Sequence, residues 1–240
     1  MPSDSQPSEA RVTRWESIGT GALASRLSSL RVVVCVAVAA AAIVGPVALG
    51  LRSALFYGWA LTLTAASAVL LGFFRAWDRS QLGLCWPPRP SLRFWVVVTS
   101  VLGTLLLAAL LLAGIQARAG VDSLGLCTPL PYSRAISMQV LSVAGLHPVF
   151  EEILFRFVLC GALLGWLPDK AIVLVSGVSF ALIHVLYGVG SADNAVAGFI
   201  LAWAFLRSRS LVVPIALHSL GNAALLIILR DGPLRRLACP

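Results

Sequence analysis

Seven apolar runs dominate the chain, at residues 32–51, 54–74, 94–116, 136–164, 171–190, 194–206 and 211–229. A bilayer's hydrocarbon core of about 30 Å takes about 20 apolar residues as a helix. Inside lipid every backbone N–H and C=O must be satisfied by the protein itself, which leaves helices and closed barrels. The runs lack the alternation of a barrel strand, so each is read as a helix. The sixth run is short and is expected to be tilted, re-entrant or merged with a neighbour. The expected fold is an all-α integral membrane protein, a polytopic bundle of six to seven transmembrane helices.

Composition agrees. Hydrophobic residues make up 59% of the 240 and charged residues 12%, with a mean hydropathy of +0.92, where a soluble domain carries about 25% charge. That excludes an ordinary water-soluble globule, and disorder with it. The formal charge of +8 does not point to nucleic acid. The cations lie mainly between the apolar runs, where they act as topology signals and as contacts to anionic headgroups of the lipid bilayer. Lys170 is the single lysine, an arginine bias expected of a GC-rich bacterial genome and hence of a bacterial cytoplasmic (inner) membrane. Five scattered cysteines without a C-x-x-C pair give neither a disulfide framework nor a zinc finger.

Residues 1–30 form a polar N-terminal tail, 31–230 a single transmembrane domain and 231–240 a basic C-terminal tail. Loops are expected at 75–93 and 118–135. The first apolar run is long enough to span, so it is read as a first transmembrane helix rather than a removed signal peptide. Placing the N-terminus in the cytoplasm puts the 75–93 loop, Lys170, Arg207 and Arg209 inside, as the excess of cytoplasmic cations requires. The basic C-terminal tail argues the other way.

Scarcity of charge makes the exceptions legible. Glu151, Glu152 and Arg156 fall in the middle of the fourth run, and the three histidines, His147, His184 and His218, all lie in the second half, as does Asn222. Ionisable groups within a membrane are expensive and usually mark function. Glu152 precedes Arg156 by four residues, the favourable order for an intrahelical ion pair. Glu151 lies about 100° further round the helix and is left free to act on something else. Phe180 and His184 share a helix face, as do His218 and Asn222. On a rise of about 1.5 Å per residue, Glu151, His184 and His218 can reach a common depth. Each group also has a plainer reading: Glu152–Arg156 as a packing pair, a lone intramembrane histidine or Asn222 as a hydrogen bond between helices. His147, followed by Pro148, is read as structural or tuning rather than as a ligand.

At these residues the chain resembles the CPBP family of intramembrane proteases, which includes type II CAAX prenyl endopeptidases and bacterial Abi and bacteriocin-processing relatives. The family pattern E-E-x-x-x-R, F-x-x-x-H, H-x-x-x-N/D reads here as Glu151-Glu152-x-x-x-Arg156, Phe180-x-x-x-His184 and His218-x-x-x-Asn222. The resemblance covers residues 136–229, the catalytic half it implies. One departure is Phe157, where many members carry Gly after the motif arginine; Gly161 and Gly165 are expected to supply the small-residue packing surface instead.

The resemblance implies an intramembrane endopeptidase that hydrolyses a peptide bond in a membrane-associated protein tail or leader. Glu151 would take a proton from water, and a desolvated carboxylate is the stronger base for it. His184 would position the water. His218 and Asn222 would stabilise the oxyanion, with Glu152 and Arg156 supporting them. Glu151, His184 and His218 would also make a two-His, one-Glu zinc site with an open position. The sequence leaves zinc open and leans towards chemistry without a metal cofactor. The rival class is a non-catalytic membrane scaffold, or a transporter using the same buried Glu/His cluster. Against a transporter, the polar residues gather in one half with no inverted repeat.

Overall fold

A computed structural model describes residues 82–120, 140–187 and 191–230 in continuous segments, with shorter pieces between residues 30 and 72. The described residues are mostly helical and contain no β-strand, only isolated bridges. Much of the two expected runs at 32–51 and 54–74 lies outside them, as do most of the expected loop at 118–135 and both tails. The described pieces of those runs, at 32–38 and 64–72, are helical.

Helix α1 spans Leu92–Arg118. Ser91 starts it by accepting a hydrogen bond from the Phe94 N–H at 3.2 Å, a side-chain N-cap. Its 27 residues extend about 40 Å at 1.5 Å per residue, enough to cross a bilayer. Val97, Leu105, Leu112 and Ile115 all point away from the protein. A helix this apolar and this exposed is stable only in a medium as apolar as itself. Its hydroxyls conform: Thr99, Ser100 and Thr104 each donate to the carbonyl four residues back, at 2.8, 2.9 and 2.9 Å. None therefore meets the surrounding lipid unpaired. The protein is an integral membrane protein.

Residues 140–163 form one composite helix, α2, whose irregular turns set the register of the polar residues it carries. Wide π-helical turns over Val140–Leu146 and Ile153–Cys160 flank a short α segment, His147–Glu152, and one α turn, Gly161–Leu163, closes it. Pro148 stands at the start of the α segment, where its missing N–H interrupts the ladder that the wide turns displace. Leu154 to Leu163 are all buried. A helix covered on every side is the centre of its bundle.

Around α2 pack α3 (Asp169–Leu186), α4 (Ala192–Ser208) and α5 (Val212–Arg230). These match the expected runs at 171–190, 194–206 and 211–229. The sixth run is a helix of 17 residues. By length and composition, α1 and α3 are each able to cross a membrane, and the apolar part of α5 is shorter. Helices α3 and α4 cross at two glycines: a Cβ on Gly198 would lie 3.0 Å from the Gly177 carbonyl oxygen. This backbone contact is the small-residue packing expected in a membrane.

The packing surface expected of Gly161 and Gly165 holds for one of them. Gly161 is buried, and a Cβ there would meet Leu71 at 2.8 Å. Gly165 instead turns the chain after α2 at φ +82, with nothing within 4 Å. Phe157 is buried in the core.

Candidate active site

The glutamates, Arg156, His184 and His218 gather where α2, α3, α4 and α5 meet. Glu152 is at the centre and wholly buried. Arg156 Nε lies 3.0 Å from Glu152 Oε2. The Arg156 guanidinium also donates through Nη2 to the Gly198 carbonyl at 3.1 Å and lies over the Phe180 ring, 4.7 Å from its centre. A buried guanidinium needs such partners, because an uncompensated charge in an apolar interior costs several kcal/mol.

Glu152 has a second partner 66 residues away: its Oε1 is 2.8 Å from His218 Nδ1. With the carboxylate ionised beside Arg156, Nδ1 is the donor, which turns His218 Nε2 outward. Nε2 faces Glu151 Oε2 at 3.8 Å. His218 is thus clamped between the two neighbouring glutamates, one held and one open. Glu151 is 24% exposed, yet its Oε2 is buried with no hydrogen-bond partner. The titratable side chains in reach of Glu151 are His218, His184, Glu152 and His147.

His184 stands beside this trio. Its Nδ1 is 2.8 Å from the Phe180 carbonyl; a carbonyl only accepts, so Nδ1 carries a proton, and in the neutral ring Nε2 then keeps a lone pair. Its ring stacks against Phe180 at 4.5 Å, and Phe180 meets the His218 ring edge-on at 5.7 Å. Phe180 therefore touches both histidines and the guanidinium, a role its place in the F-x-x-x-H spacing did not disclose. Asn222 donates from Nδ2 to the Val143 carbonyl at 2.9 Å. It fastens α5 to the first π turn of α2, where the wide turns leave carbonyls available, and its second amide hydrogen stays outside that bond. His147 Nε2 lies 3.4 Å from Ser142 Oγ on its own helix.

Glu152 meets both Arg156 and His218, His218 also faces Glu151, and His184 joins them through Phe180. Two partners left no trace in the sequence, the Gly198 and Val143 carbonyls, and Phe180 was legible only as a neighbour of His184. Backbone acceptors leave no mark in residue type, though Pro148 signals where a helix ladder breaks. Among the described residues no three His, Cys, Asp or Glu side chains converge in a group that could hold a metal ion. His218 gives Nδ1 to Glu152, a bond that also orients metal-bound imidazoles, and its Nε2 stays open towards Glu151.

Residues 133–224 match the family described as type II CAAX prenyl endopeptidase Rce1-like. No curated protein and no solved structure matches. The matched stretch contains every residue of the cluster, from Glu151 to Asn222. The match covers 92 of the 240 residues, and over that stretch the chain is similar to the Rce1-like type II CAAX prenyl endopeptidases.

Proposed function

We propose that the protein is an intramembrane endopeptidase with six to seven transmembrane helices, its N-terminus in the bacterial cytoplasm, cutting a membrane-associated protein tail or leader with a glutamate-activated water. The observation that carries this reading is the buried, unpartnered Oε2 of Glu151 facing an anchored His218 Nε2 at 3.8 Å. A lone carboxylate oxygen in an apolar setting is a base waiting for a proton.

In the first step Glu151 takes a proton from water while the oxygen attacks the scissile carbonyl carbon. His184, with its Nε2 lone pair free, accepts a hydrogen bond from that water and aims it. The oxyanion that forms receives hydrogen bonds from His218 Nε2–H and from the second amide hydrogen of Asn222. With Nδ1–H already given to Glu152, an Nε2–H donor requires the imidazolium. Two glutamates against one arginine leave one negative charge for it to balance. Glu151 then returns its proton to the leaving amine as the C–N bond breaks, which leaves it ready for another turn. Glu152, Arg156 and Phe180 hold the histidines.

Glu151→Gln tests this, because it keeps the shape and removes the base. Termini of membrane proteins are compared by mass spectrometry in cells carrying either form. The endopeptidase reading expects cleaved termini to vanish while the variant accumulates normally in the membrane. Unchanged processing would assign the cluster to a scaffold or a transporter.

A further inference from the structure

One end of the bundle holds a second polar site, which shares no lining residue with the glutamate cluster. The loop 82–90, the start of α3 and the turn from α4 to α5 meet there around a cavity of about 530 Å³. Four cations line it, Arg89, Lys170, Arg207 and Arg209, with one carboxylate, Asp169, and the indole of Trp203. Among the described residues none of these charges is in an ion pair. Four cations around one carboxylate leave the lining with an excess of positive charge, which repels itself unless an anion joins it.

The fold fixes this cluster. The Cys85 and Arg89 N–H groups donate to the Arg209 and Ser208 carbonyls at 3.0 and 2.9 Å, and the Leu211 N–H donates to Gly83 at 2.7 Å. Trp95 Nε1 holds the Arg89 carbonyl at 2.7 Å. Gly83, at φ +68, lets the loop lie against Phe205, where a Cβ would stand 2.4 Å from the ring. Arg209 itself adopts φ 51, a left-handed conformation that suits glycine far better than a side chain. An arginine kept where the backbone prefers glycine points to work for its guanidinium.

The setting tells what anion would come. Trp86 and Trp166 are exposed, from the loop and from the turn entering α3, and Trp203 is exposed on the last turns of α4. Exposed tryptophans with arginines at the ends of apolar helices mark the level of the lipid headgroups. The geometry points to a binding site for the phosphate of an anionic phospholipid headgroup, cradled by Arg89, Lys170, Arg207 and Arg209, with Trp203 beside the glycerol. Arginines recognise phosphate through paired N–H donors. The site rests on the reading of the bundle as membrane-embedded and not on the peptidase chemistry.

Delipidated full-length protein in a neutral detergent is titrated with short-chain phosphatidylglycerol, phosphatidylcholine of the same chains, and inorganic phosphate, and bound lipid is read by native mass spectrometry. The expected result is one saturable phosphatidylglycerol, held at least tenfold more tightly than phosphatidylcholine and not displaced by an equal concentration of phosphate. Arg209→Gly relieves the backbone and removes the charge, so it is expected to weaken phosphatidylglycerol at least tenfold without lowering the Tm; Arg207→Gln gives an independent loss. Equal binding of the two lipids, or full binding by both variants, overturns the site. Displacement by equimolar phosphate assigns it to a soluble anion and overturns the lipid. No substrate is needed, so failure here and failure of the peptidase reading are told apart.

Discussion

The adjacent glutamates are predicted to fail in different ways, and Glu152→Gln shows why. Glu152 and Arg156 are both wholly buried, with 3.0 Å between Oε2 and Nε. Removing one charge of a buried pair leaves the other uncompensated, at a cost of about 3–5 kcal/mol. No discount for solvent screening applies to groups so deep. Arg156 keeps the Gly198 carbonyl and the Phe180 face, but it has both already, so neither offsets the loss. At about 2–4 °C per kcal/mol for a chain of this size, the Tm should fall by roughly 6–20 °C. Thermal unfolding in detergent micelles, followed through a thiol-reactive dye, measures it. Glu151→Gln loosens only the longer, part-exposed contact to His218 at 3.8 Å, so its Tm should fall clearly less than that of Glu152→Gln. The double variant Glu152→Gln/Arg156→Met removes both charges and should recover most of the Tm, since an apolar replacement of a buried pair is often neutral. Cleavage should not return with it, because His218 Nδ1 then faces a neutral amide in place of the carboxylate 2.8 Å away. A Glu152→Gln protein as stable as the parent would refute the buried-pair reasoning. Restored cleavage in the double variant would refute the clamp on His218.

Other perturbations separate packing from chemistry. Gly177→Ala places a Cβ 2.4 Å from the Phe199 ring at the α3–α4 crossing; overpacking of about 1–3 kcal/mol should exceed the helix-propensity gain of about 1 kcal/mol, seen as a lower Tm. Asn222→Ala deletes the bond to the Val143 carbonyl, expected to cost about 0.6–2 kcal/mol. It should also slow cleavage by about 10²–10³ if the second amide hydrogen meets the oxyanion, so a loss of stability alone would confine Asn222 to helix packing. Peptidase activity should survive dialysis against a chelator, with metal content read by elemental mass spectrometry; loss on chelation and return with zinc would restore the two-His, one-Glu alternative.

How much of this could be read without coordinates depends on whether the physics is local. Length of apolar run, the placement of charges and four-residue spacing act within one helix, so the sequence sufficed for the helical, membrane-bound character, for the Glu152–Arg156 pair and for the identity of the unusual polar residues. The resemblance to the CPBP pattern came from those same residues. Contacts between helices were another matter. That Glu152 holds His218 across 66 residues, that Arg156 finds the Gly198 carbonyl and that Asn222 finds Val143 depend on where the helices cross. The crossings depend on close glycine contacts and on π turns that shift the register of α2. The basic cradle obeys the same physics at the bundle's end. Residues 89, 170, 207 and 209 looked like ordinary loop charges along the chain, and only the packing of the 82–90 loop against the α4–α5 turn draws them around one cavity.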